Sequence, residues 1–182
     1  MNFASVSIFA KKKRMKEVII TINESDIMSR IFAESGYTAL ARAKSGMPER
    51  FTDIVQATDD DRSTIRRFIA DSMGEAAGTI TRYMSPCTVR YIGDEYGSNG
   101  TIYVRFVVPQ NSPDDMAQMV KESITVFSTA RSLQHWMLMV KPDEANIHQG
   151  KAQGELLRIR ELLSLRARPV KGSDTDDNII DL

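Results

Sequence analysis

The chain has 182 residues, 42% of them hydrophobic, and balances 24 Lys and Arg against 24 Asp and Glu. That length predicts one domain with tails, and zero net charge argues against a dedicated nucleic-acid binder, which carries a basic excess. One cysteine (Cys87) excludes an intramolecular disulfide and most zinc sites, two histidines leave little for His-based catalysis, and no apolar run approaches the roughly 20 residues needed to cross a bilayer.

Taken in chain order, Met1 to Ala10 is an apolar patch whose charges come after it, the reverse of a signal peptide, so an intracellular product is expected. Lys11, Lys12, Lys13, Arg14 and Lys16 then precede the first acid, Glu17. The β-branched run from Glu17 to Asn23 reads as a short strand or extended arm. Asn23 and Asp26 can open a helix in which Ile27, Ile31 and Leu40 recur near helical spacing, with Gly36 a weak point and Gly46 its end. In the connection after it, Phe51, Ile54 and Val55 are expected as apolar anchors.

Thr58 followed by Asp59, Asp60 and Asp61 is a strong helix start, because acids in a first turn meet the positive end of the helix dipole. Three consecutive acids point about 100° apart and cannot converge on one cation, so capping outweighs metal binding. Ile65, Phe68, Ile69, Met73, Ala76, Ala77 and Ile80 form the apolar stripe of this helix, with Arg66, Arg67 and Asp71 on its other side. It is expected to stop near Tyr83, before Ser85-Pro86.

Thr88–Ile92 and Thr101–Val108 predict a hairpin, with Ile102, Val104, Phe106 and Val108 on one face. Its long tip contains Asp94, Glu95 and Tyr96, expected to be exposed and to touch a neighbouring subunit. Two strands are marginal alone, so the hairpin must pack on helices or pair with another chain. Gly93, Gly97 and Gly100 are not followed by a helix, which argues against a phosphate-cradling loop. Cys87 lacks a basic neighbour that would activate it.

Ser112-Pro113-Asp114-Asp115 opens the longest predicted helix, in which Met116, Val120, Ile124, Phe127, Ala130, Met137 and Val140 follow at helical spacing. Met116, Met119, Met137 and Met139 read as core filler, and His135 and His148 as packing or surface residues. After Pro142, the last helix carries Leu156, Ile159 and Leu163 on its stripe and runs to about Arg168. From Lys151 to Lys171 there are six basic residues and two acidic ones, with Arg158 able to pair with Glu155 or Glu161. The end, Gly172 to Leu182, has Asp174, Asp176, Asp177 and Asp181 but also Ile179, Ile180 and Leu182, apolar residues suited to docking by strand addition.

The predicted fold is thus mainly α, a helical bundle with a projecting two-stranded hairpin and extended N- and C-terminal arms. The chain divides into an arm or strand over 1–22, a helical domain over 23–171 with the hairpin at 88–108, and an acidic tail over 172–182. No catalytic, metal or cofactor set emerges, and the elements that cannot satisfy themselves alone point to an assembly component.

This order of elements resembles the head–tail connector proteins of tailed bacteriophages, also called adaptor, head-completion or neck proteins. The likeness rests on the acid-capped helix from Ala57, the β-rich insertion, the long helix with Ala130-Arg-Ser-Leu-Gln-His-Trp-Met-Leu-Met-Val-Lys-Pro, and the final helix ending Arg-Ala-Arg-Pro, over residues 52–170. The resemblance implies a structural virion protein without catalytic residues or cofactor. It would be assembled in the host cytoplasm into a homo-oligomeric ring, commonly a dodecamer, between portal and tail or neck proteins. Double-stranded DNA would pass without sequence reading, with Arg66, Arg67, Arg158 and Arg160 as candidates to face it, and no membrane is involved. The alternative is a small nucleic-acid-binding regulator using Arg66, Arg67 and the basic last helix, although no helix-turn-helix signature is present. A small enzyme would need a site built between chains.

Overall fold

The computed structural model describes residues 15–44, 55–84, 87–92 and 100–165. Strand β1 (Met15–Asn23) leads directly into helix α1 (Glu24–Lys44). A 3-10 turn (Asp59–Asp61) opens α2 (Arg62–Tyr83). Strands β2 (Cys87–Ile92) and β3 (Thr101–Pro109) follow, then the long helices α3 (Met116–Val140) and α4 (Pro142–Ser164).

The hairpin is one part of a three-stranded antiparallel sheet ordered β1-β3-β2. This corrects the expectation of a two-stranded hairpin beside an extended N-terminal arm. The arm's strand is the missing partner, with Met15 opposite Pro109 and Asn23 opposite Thr101. Alternation explains the pairing: Val18, Ile20 and Ile22 share a face, and only pairing with β3 places them beside buried Val104 and Phe106. The sheet packs on α2 and α3, so it is seated on the bundle and does not project from it.

Helix α3 is central, packed by α1, α2, α4 and β1. Met116, Val120, Ile124, Phe127, Ala130 and Met137 are buried, as the periodicity predicts, Val140 is only half-buried, and Leu133, outside the predicted stripe, is buried as well. Because neighbours surround it, α3 also buries Ser123, Ser128, Thr129 and Ser132, which its pattern alone does not mark. Their hydroxyls are satisfied unevenly: Thr129 Oγ1 donates to the Thr125 carbonyl at 2.9 Å and Ser128 Oγ to the Met73 sulfur of α2 at 3.7 Å, whereas those of Ser123 and Ser132 are buried without a hydrogen-bond partner among the described residues. Met139, two residues beyond Met137 and on the opposite side, is exposed.

Ser112 does not cap α3. Its amide donates to the Pro109 carbonyl (3.0 Å) and its own carbonyl accepts from Lys16 Nζ (3.0 Å), so a turn intervenes before Met116. Helices α3 and α4 are separated only by Lys141, with Pro142 in the first turn of α4, and they form the most extensive helix pair as an antiparallel hairpin.

In α1, Ile27, Met28, Ile31 and Ala39 are buried, but Leu40 is 60% exposed, contrary to expectation. It lies nine residues past Ile31, half a turn off the stripe. Gly36 stays within the helix. In α2, Ile65, Ile69, Met73, Ala76 and Ile80 are core, whereas Phe68 sits on the shoulder of the stripe and is only half-buried. The helix ends at Tyr83 as expected. Val55 is the anchor expected after α1: it is buried, and its carbonyl accepts from Trp136 Nε1 at 2.8 Å. Phe51, Ile54 and Ser85-Pro86 lie outside the described residues.

Candidate functional site

Each candidate residue is positioned by one of these elements. Thr58 and Asp61 close the start of α2 on themselves: the Thr58 amide and hydroxyl both donate to Asp61 Oδ2 at 3.0 Å. Asp59 accepts from Arg62 at 2.7 Å. The acidic cluster therefore serves the helix start, and among the described residues no group of acids, His and Cys could hold a metal ion.

Arg66 leaves α2 toward the β1–α1 junction, where its Nε meets Glu24 Oε1 at 2.6 Å. Glu24 is buried, and its amide donates to the Gly100 carbonyl at 2.8 Å. Arg67 is exposed on the same helix. Arg158 pairs with Glu155 at 3.9 Å, one of the two pairings expected, and Arg160 lies half-buried one turn from the end of α4. The four arginines are not brought together. Helix α2 runs antiparallel to α3, as Phe68 stacked on His135 and Arg131 paired with Glu75 require, and so parallel to α4. Arg66 and Arg67 thus lie near one end of the bundle and Arg158 and Arg160 toward the other, roughly 20 Å apart along the axis at 1.5 Å per residue. Asp94, Glu95, Tyr96, Ile179, Ile180 and Leu182 lie outside the described residues, as do Lys11 to Arg14.

What the sequence did not mark is the outer edge of β1, which among the described residues pairs with no further strand. Lys16, Glu17, Val18 and Ile19, four consecutive strand residues, line a cavity of about 300 Å³ against Pro113, Asp114 and Met116. Successive strand residues point to opposite faces, so a cavity bordered by all four lies along the strand's edge. Beyond it a larger open cleft of about 640 Å³ separates the end of β1 and the first turns of α1 from α3. In this cleft Asp26 accepts from Asn23 (3.2 Å) and Glu122 accepts from Gln118 (2.9 Å). Arg30 of α1 and Lys121 of α3 face it without an ion pair among the described residues.

The outer face of the sheet carries Ile19, which is 58% exposed, with Glu17 bonded to Arg105 across the strands. On β2, Ile92 is 60% exposed. Cys87 is half-buried at the start of β2, where burial pushes its thiol up and a hydrogen bond with Thr81 pulls the other way. Tyr91 is pushed up to about 12 by burial and then by Glu24 and Asp71. Neither group is activated at neutral pH.

Both histidines serve the fold. His135 is stacked on Phe68, with centroids 5.3 Å apart and planes at 26°. Burial, then Arg131, lower its pKa against the pull of Asp71 and Glu75. Burial also lowers His148, with Glu34 opposing and Lys151 adding to the effect. The folded values lie below the ordinary 6.5, so between them the unfolded chain binds more protons. The contribution to stability is therefore complete above about pH 6.5 and is lost as pH falls through the folded pKa values. Melting temperature is expected to decline from pH 7.5 to 5.5, and a His135→Gln, His148→Gln double variant should flatten that decline. An equally steep decline in the variant would assign the pH dependence to other groups.

No helix among the described residues is long and apolar enough to cross a membrane. No protein family, curated protein or solved structure matches this chain.

Proposed function

We propose that the chain is a structural virion protein, a ring-forming head–tail connector that joins portal to tail in a tailed bacteriophage and surrounds the DNA channel. The observation that carries this reading is the pair of unlike edges, β1 and β2, on opposite sides of one sheet seated on a helical bundle, neither paired with a further strand among the described residues. A closed ring needs two different surfaces per subunit, because each copy meets its neighbours head to tail. Open strand edges supply such surfaces in backbone hydrogen-bonding groups, and exposed Ile19 and Ile92 flank them with apolar area. In this reading the hairpin tip, Asp94 to Tyr96, is assigned to the contact with a neighbour, and the acidic tail with Ile179, Ile180 and Leu182 to docking on another subunit.

Charge agrees with passage of DNA over a nearly neutral wall. Arg66 is committed to Glu24 and Arg158 is beside Glu155, which leaves Arg67 and Arg160 as scattered cations. Tight phosphate binding would hold DNA in place, whereas sparse fixed charge lets it slide. The same commitments count against the regulator reading, which needs those arginines free.

Mass in solution tests the proposal. Light scattering and electron microscopy should find rings, and deletion of Asp94 to Asn99 should keep the circular dichroism of the full chain while stopping assembly. A dimer that shifts DNA with sequence preference in 200 mM salt would favour the regulator instead, and rings formed normally by the deletion variant would remove the hairpin from the interface.

A further inference from the structure

We propose that the trough along the free edge of β1 is a strand-accepting site whose occupant is the C-terminal segment Asn178–Leu182 of a second copy. This rests on the assembly reading above and names the contact that would build it. Three observations carry it. The cavity bordered by Lys16 to Ile19 opens on the unpaired side of the strand, where alternate backbone N–H and C=O groups point away from β3. A strand laid there extends the sheet to four strands, covers Ile19 and meets the opposite wall at Met116. The larger cleft at the other end of β1 presents Arg30 and Lys121, neither in an ion pair among the described residues, so an acidic segment finds two cations there beside Asp26 and Glu122.

The chain that follows α4 has the matching chemistry. Ile179 and Ile180 are β-branched and suit a strand, while Asp174, Asp176, Asp177 and Asp181 supply the negative charge. The seventeen residues after Leu165 span up to about 56–61 Å when extended, enough to reach a neighbouring subunit.

The end of α4 also decides between a subunit's own tail and a neighbour's. Because α3 and α4 form an antiparallel hairpin, Leu165 lies at the end where α3 begins, beside the Lys16 contacts to Ser112 and Asp114. A tail entering its own trough from there runs parallel to β1, whereas one arriving from a second copy is free to run antiparallel, the more stable ladder. Donor tail and acceptor edge are different surfaces, so the contact is heterologous and propagates around a ring.

Disulfide trapping in the full chain tests this. Two chains are mixed, both carrying Cys87→Ser, one with Ile19→Cys and the other with Ile180→Cys. A cross-linked heterodimer is expected on oxidation, and it should be lost when Ile180→Cys is paired with Thr88→Cys on the β2 edge. In otherwise unaltered full chain, Ile179→Asp with Ile180→Asp should abolish the oligomer while circular dichroism stays unchanged. A chain carrying both Ile19→Cys and Ile180→Cys that closes only on itself would overturn the second-copy assignment. Oligomers that persist without any cross-link, or a link to the β2 edge, would overturn the trough and leave the assembly reading standing. A chain that stays monomeric would overturn both.

Discussion

Replacing Phe127 with alanine is expected to lower the unfolding free energy by about 3–5 kcal/mol. Phe127 is fully buried at the middle of α3, the helix that α1, α2, α4 and β1 all touch. Truncation there removes an aromatic ring from a site that many elements line, and neighbours fixed by four separate contacts cannot all move in to fill the space. The loss is therefore transfer free energy plus a cavity. Phe68→Ala is the control: its ring is half-buried and stacked on His135 at the edge of the core, where water can replace it, so a much smaller cost is expected. Denaturant titration of both variants measures the difference. A cost below about 1 kcal/mol for Phe127→Ala would mean that α3 is not the centre of the core.

The helices were legible because their signals are local. Thr58 with Asp61, Pro142 with its acidic first turn, and the stripes at Ile65–Ile80 and Met116–Met137 each lie within one element, and each helix begins, ends or faces inward as those residues dictate. Phe68 and Leu40 fail for different reasons: Phe68 lies on the shoulder of its stripe, where it is only half-buried, whereas Leu40 lies half a turn from Ile31 and faces away from the core. The third strand was half legible. The run Glu17 to Asn23 reads as β, and a hairpin of two strands demands a partner, but nothing local says that one need satisfies the other. Strand pairing over some ninety residues is a tertiary fact, fixed here by the shared buried face of Ile20 and Val104. The trough beside β1 was not legible at all, because it is made by the separation of Lys16–Ile19 from Pro113–Met116 in space. Of the arginines, Arg158 carried its partner three residues away in the sequence, whereas the partner of Arg66 lies forty-two positions upstream.

That distant pair supports the last expected result. Arg66→Ala should cost about 2–3 kcal/mol, and Glu24→Ala less, about 1–2 kcal/mol. The asymmetry follows from exposure: the Glu24 side chain is 8% exposed and that of Arg66 is 32% exposed. Removing Arg66 strands a carboxylate that water reaches poorly, whereas removing Glu24 leaves a guanidinium that can hydrate. Gly100 belongs to the same unit. Its carbonyl holds the Glu24 amide, and a Cβ added to it would collide with Glu24 Oε2. A carboxylate at the end of a flexible side chain could swing aside, but only by leaving Arg66. Gly100→Ala is therefore expected to destabilise the protein when Glu24 is present and to cost little in a Glu24→Ala background, a coupling that a double-mutant cycle reads directly. The three residues tie the β1–α1 junction, the start of β3 and α2 to one another, so the pair anchors the seat of the sheet on the bundle. If the Gly100→Ala cost is the same in both backgrounds, the glycine is required by its backbone and not by the carboxylate; if Glu24→Ala proves the costlier change, the carboxylate contributes more to the fold than its contact with Arg66.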